Sequence, residues 1–115
     1  MARKKPPGTG HHHVYVVYLR NPKGDGKAGY YVGMTGLTPE ERFTNHKNGV
    51  KAAGIVRRFG ERLVPRLYEH LNPMPFRRAA EMEVLLADSL RKPLARIFHL
   101  PLELFLGGVL ILCAG

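Results

Sequence analysis

The chain has 115 residues, with 18 lysines and arginines against 9 aspartates and glutamates, a formal net charge of +9. That length bounds it to one domain with at most a short tail, and the charge favours a polyanion partner, nucleic acid first and an anionic membrane surface second. Cys113 is the only cysteine, which excludes an intrachain disulfide and a thiolate zinc site and fits a reducing, cytoplasmic setting.

The charge is uneven. Residues 1–60 hold 11 basic and 3 acidic residues, net +8, whereas residues 61–115 hold 7 and 6, net +1. Residues 1–12 read as a basic flexible arm, Met1-Ala2-Arg3-Lys4-Lys5-Pro6-Pro7 and onward. No apolar run follows it, so it is not a signal peptide. His11-His12-His13 runs straight into Val14-Tyr15-Val16-Val17-Tyr18-Leu19, and the histidines are read as the start of that strand rather than as a metal tract. The strand is apolar on both faces, so it is expected to be central or covered on both sides. Asn21 to Gly29 is turn chemistry, and Tyr30 to Met34 is a second strand, which together predict an antiparallel hairpin.

Thr38-Pro39-Glu40-Glu41 carries three agreeing signals of a helix start: a threonine N-cap, a proline at the first helical position and a glutamate placed for a capping box. The helix is expected to run to about Asn48 with Gly49 as its cap, which puts Arg42 and His46 one turn apart on one face. Lys51 to Phe59 predicts a second short helix ending at Gly60, with Arg57 and Arg58 adding positive charge. Arg62 to Tyr68 reads as an edge strand that includes Pro65.

Phe76 to about Lys92 predicts a long amphipathic helix with the apolar stripe Ala79, Met82, Leu85, Leu86 and Leu90. On it, Glu81 leans to the charged side. Glu83 leans to the apolar side, where an uncompensated carboxylate is costly. Residues 93–115 are apolar and of open structure: a buried strand or helix, an oligomer contact, or an unfolded tail. The uncharged run Leu104 to Gly115 is too short to span a bilayer.

The ordered set Val14-Tyr15-Val16, Tyr31-Val32-Gly33 with Thr35, then Arg42, His46 and Glu83 resembles the GIY-YIG nuclease superfamily over residues 13–92. The resemblance implies a small α+β fold, a three-stranded antiparallel sheet flanked by helices. It also implies cleavage of DNA phosphodiesters with one Mg²⁺ or Mn²⁺. Carried over, Tyr15 and Tyr31 line the site and one helps deprotonate the attacking water. Arg42 stabilises phosphate charge, His46 assists proton transfer or holds a tyrosine, and Glu83 ligates the metal. Gly33, Thr35, Lys47, Arg57 and Arg58 are the expected substrate contacts. Val14 stands where the family has its first glycine. Tyr18 rivals Tyr15, which is preferred because Tyr-Val-Val follows the family's tyrosine–any–apolar order. The asparagine that some members place after the metal-binding glutamate has no counterpart, since none follows Asn72. With no separate DNA-binding domain, weak sequence specificity or a protein partner that supplies it is expected. Repair, recombination, restriction and mobile elements are the settings in which the superfamily serves, and a non-catalytic nucleic-acid-binding module on the same fold is the alternative function.

Overall fold

The computed structural model describes residues 10–49, 54–98 and 110–113. Strands β1 (His13–Leu19) and β2 (Gly29–Thr35) form the expected antiparallel hairpin, with Tyr15 opposite Gly33 and Val17 opposite Tyr31. β1 is central: β3 (Gly60–Leu63) pairs antiparallel on its other side. This three-stranded antiparallel core is extended at β2 by a parallel strand, β4 (Leu110–Cys113), giving the order β3-β1-β2-β4. The apolar C-terminal run, whose structure the sequence leaves open, therefore contributes a strand to the sheet. β1 is covered as its two-sided apolar pattern requires, with Val14, Tyr15, Val16, Val17 and Leu19 all buried.

Helix α1 (Pro39–Lys47) starts where the three signals place it. Thr38 Oγ1 accepts the Glu41 amide and the Glu41 carboxylate accepts the Thr38 amide, the reciprocal capping box. Helix α2 spans Gly54–Phe59, and residues 51–53 of its expected range lie outside the described residues. α1 and α2 lie against β1 and β3, and the long helix α3 (Phe76–Phe98) lies against β2, β1 and β4.

Three expectations are corrected. The edge strand does not run from Arg62 to Tyr68; it occupies Gly60–Leu63, and Pro65–Leu67 and Glu69–Leu71 are 3₁₀ turns. The last ladder bond is from the Val64 amide to the Val16 carbonyl. Pro65 has no amide to continue the ladder, and its fixed φ suits a turn. The long helix does not end near Lys92. It accommodates Pro93, which forfeits one intrahelical bond among good helix formers. The expected stripe of α3 holds except at Leu85, with Met82 and Leu90 packed half-buried against the core. Ala79, Glu83, Leu86 and Ala87 are buried, whereas Leu85 is 52 % exposed beside Val84 at 51 %. Glu83 sits on the inward line, and Leu85, two residues on, lies about 200° around the helix from it.

Chain edges near the hairpin are closed by side chains as well as strands. β3 pairs only with the second half of β1. Along the first half, the Asn72 side chain takes the place of a neighbouring strand: its Oδ1 accepts the Val14 amide and its Nδ2 donates to the Val14 carbonyl, both at 2.8 Å. His12 and Met74 exchange a pair of backbone bonds just beyond.

Candidate active site

Side chains alternate along a strand, so Tyr15, Val17, Tyr31 and Gly33 share one face of the hairpin. α1 crosses that face and presents His46. The Tyr15 hydroxyl is 2.9 Å from His46 Nε2, and the imidazole stands edge-on to Tyr31 with centroids 5.9 Å apart. One turn earlier on α1, the Arg42 guanidinium donates a hydrogen bond to the Tyr15 hydroxyl. Glu83 faces the cluster from α3, close enough for its negative charge to act on Tyr15. The five residues expected to form a site therefore lie in one cluster around Tyr15, with His46 and Arg42 bonded to its hydroxyl, the Tyr31 ring packed against Tyr15 and His46, and Glu83 near enough for its charge to act.

Glycine at position 33 is required by this arrangement. The Tyr15 ring lies across it, and a Cβ there would stand 2.6 Å from the Tyr15 Cζ and hydroxyl oxygen. Tyr18 is on the opposite face. Its ring is edge-on to Tyr30 at 6.1 Å and carries the Arg62 guanidinium 4.3 Å above it, so it belongs to a different cluster from Tyr15.

The electrostatics follow from burial. Tyr15 is 1 % exposed, and burial pushes its phenol well above the ordinary range. Tyr31 and, more weakly, Glu83 add to the shift, and Arg42 opposes it. His46 is fully buried, and burial together with Arg42 lowers its pKa. Both groups are thus held neutral at pH 7. The consistent assignment has Arg42 donating to the Tyr15 oxygen while the Tyr15 O–H donates to His46 Nε2, leaving the imidazole proton on Nδ1.

The cluster is closed rather than open. Tyr15, His46 and Glu83 are at most 2 % exposed, Tyr31 is buried at 8 %, and Arg42 is half-buried. Glu83 is its one carboxylate. Among the described residues, no three His, Cys, Asp or Glu side chains gather as they would to enclose a metal. A dedicated protein cage is therefore absent there. One carboxylate beside hydroxyls matches the oxygen donors that Mg²⁺ takes, and the closed packing would have to open to admit the waters that ion keeps.

The expected substrate contacts divide. Arg57 and Arg58 are exposed on α2, with the Arg58 guanidinium 5.2 Å over the Phe59 ring. Gly33 is covered by Tyr15. Thr35 is 8 % exposed, and its hydroxyl accepts the Leu37 amide to turn the chain out of β2. Lys47 is committed elsewhere: its ammonium donates to the carbonyls of Arg57 at 3.0 Å and Gly60 at 2.8 Å, capping the end of α2. Asn72 was not among the expected site residues. An asparagine beside two prolines reads as turn chemistry, and nothing local reveals a backbone partner 58 residues away.

Comparisons of the chain with family models, curated proteins and solved structures return no match. Among the described residues, no helix is long and apolar enough to cross a membrane.

Proposed function

We propose that this chain is a divalent-metal-dependent DNA endonuclease of the GIY-YIG type, acting in the cytoplasm. The observation that carries the reading is the clustering of Tyr31, Arg42, His46 and Glu83 around Tyr15 from two strands and two helices, with Arg42 and His46 bonded to the Tyr15 hydroxyl. Phosphodiester hydrolysis needs an activated water, neutralisation of developing charge and a path for protons. Arg42 offers a planar fork for a phosphate oxygen. Tyr15 accepts the proton of the attacking water as its own proton passes to His46 Nε2, so hydroxide and imidazolium form together. A phosphate anion beside Arg42 favours that imidazolium by cancelling the positive charge that otherwise opposes it. Glu83 would hold Mg²⁺ or Mn²⁺, which supplies further neutralisation of the phosphate when bound. Arg57 and Arg58 offer phosphate contacts outside the cluster, and a partner protein supplies sequence selection.

Burial favours a second reading, in which the five residues are a structural network and the chain is a non-catalytic nucleic-acid-binding module. Supercoiled plasmid incubated with the protein and Mg²⁺ or Mn²⁺ separates the two. Wild type should nick, while Glu83→Ala and Arg42→Ala should not, with Glu83→Ala retaining near-normal DNA binding. Equal nicking by all three proteins, or binding without nicking by any of them, sinks the enzyme reading.

A further inference from the structure

A cleft of about 190 Å³ opens between the first turn of α1, the 3₁₀ turns and the start of β1. Its walls include His13, Glu40, Tyr68, Glu69 and Asn72. It contains none of the five clustered residues. Two of its polar atoms are anomalous. Tyr68 is 2 % exposed, and its hydroxyl has no hydrogen-bond partner among the described residues; the same holds for the buried Nδ1 of His13. Leaving a buried polar atom unmade is costly, and an occupant of the cleft that bonds to both atoms would recover that cost. Asn72 cannot serve, because both ends of its amide are spent on Val14.

The cleft is also negative in a strongly basic chain. Glu40 and Glu69 stand on its rim, and their charges act on Tyr68, whose pKa is pushed up to about 12 chiefly by burial and then by these two carboxylates. An anion is therefore disfavoured despite the helix N-terminus beside it, where Pro39 lacks an amide and Thr38 already caps that of Glu41. Among the described residues no group of three His, Cys, Asp or Glu side chains forms a metal cage, here or elsewhere. A cation with several N–H donors matches both the negative rim and the two unpartnered atoms. We propose that this cleft binds an alkylguanidinium or alkylammonium group, held by N–H donation to the Glu40 and Glu69 carboxylates and to Tyr68 and His13. The chemistry is shared by a free small cation and by an arginine or lysine side chain on a partner protein.

The test is ¹H–¹³C NMR of the full chain, following the Tyr68 ring and the His13 imidazole while ethylguanidinium or ethylammonium chloride is added. Saturable shifts at both residues are expected. Tyr68→Phe should weaken binding about tenfold by removing one bond to a charged donor, and Glu40→Gln with Glu69→Gln at least as much. These exposed glutamates and the conservative phenylalanine leave the fold in place, which is checked in the same spectra. A blocked Gly-Arg-Gly peptide binding more tightly than ethylguanidinium assigns the source to a protein side chain, and the reverse order assigns it to a free cation. The proposal is overturned by non-saturable shifts, by equal response to tetramethylammonium or Mg²⁺, or by unchanged affinity in Tyr68→Phe, which would mean that the hydroxyl meets only water. The outcome is independent of DNA cleavage.

Discussion

The Tyr15 hydroxyl and His46 Nε2, 2.9 Å apart in the interior, are displaced in opposite senses from their ordinary titration ranges. Each displacement keeps its own group neutral, so the pair is a matched donor and acceptor rather than an ion pair. His46 is more easily protonated in the unfolded chain than in the folded one, so stability falls as pH drops below about 6.5. Tyr15 is more easily deprotonated in the unfolded chain, so stability also falls as pH rises above about 10. Urea unfolding of the wild type should give a lower stability at pH 5.5 than at pH 7.5. His46→Gln should flatten that difference, and an equal pH slope in the variant would place the sensitivity elsewhere.

Tyr15→Phe removes one oxygen that both Arg42 and His46 use. Orphaning buried partners costs about 1–3 kcal/mol, so the midpoint of denaturant unfolding should drop accordingly. In the plasmid assay the same variant should lose nicking by about a hundredfold or more, as expected for a lost proton acceptor. A stability loss with full nicking would remove Tyr15 from the chemistry.

Gly33→Ala tests the close approach of the ring to the strand. The added methyl group meets a side chain that is itself clamped at its hydroxyl end, so the ring has little room to yield. Overpacking of this kind costs about 1–3 kcal/mol. Thermal unfolding of Gly33→Ala at the wild-type midpoint would show that the ring can move aside.

Lys47 and the Arg57–Arg58 pair should separate by readout. Each arginine replaced by glutamine should reduce the slope of log affinity for DNA against log salt by about 1, with unfolding nearly unchanged. Lys47→Gln should instead lower stability, because two carbonyls at the end of α2 lose their donor. Fluorescence anisotropy at several salt concentrations, paired with denaturant curves, distinguishes these outcomes.

Much of the fold was legible where several local signals coincide. Thr38, Pro39 and Glu41 each mark the same helix start by a different mechanism, and that start phases Arg42 and His46 without tertiary information. The two-sided apolar character of Val14 to Leu19 likewise announces a central strand. Glu83 was recognisable as inward-facing from its alanine and leucine neighbours, and the apolar stripe was legible except at Leu85, whose side chain scores as inward although its position lies across the helix from Glu83. Leu110–Cys113 was not assignable, since a short apolar run carries no period that distinguishes strand from helix. Lys47 looked like a phosphate contact because charge is visible in sequence, whereas the carbonyls that claim it belong to a different helix end.

The Asn72 side chain and the His12–Met74 bridge fasten the chain to β1 immediately before α3 begins at Phe76. The rest of the path to Glu83 is uninterrupted helix. The span from Met74 to Glu83 thus works as a ruler whose zero mark is pinned beside Tyr15 and whose graduations are helical residues. One residue inserted between Arg77 and Met82 would advance Glu83 by about 1.5 Å and swing it by about 100°. Length between these two points is therefore under tighter constraint than the identity of most residues along it.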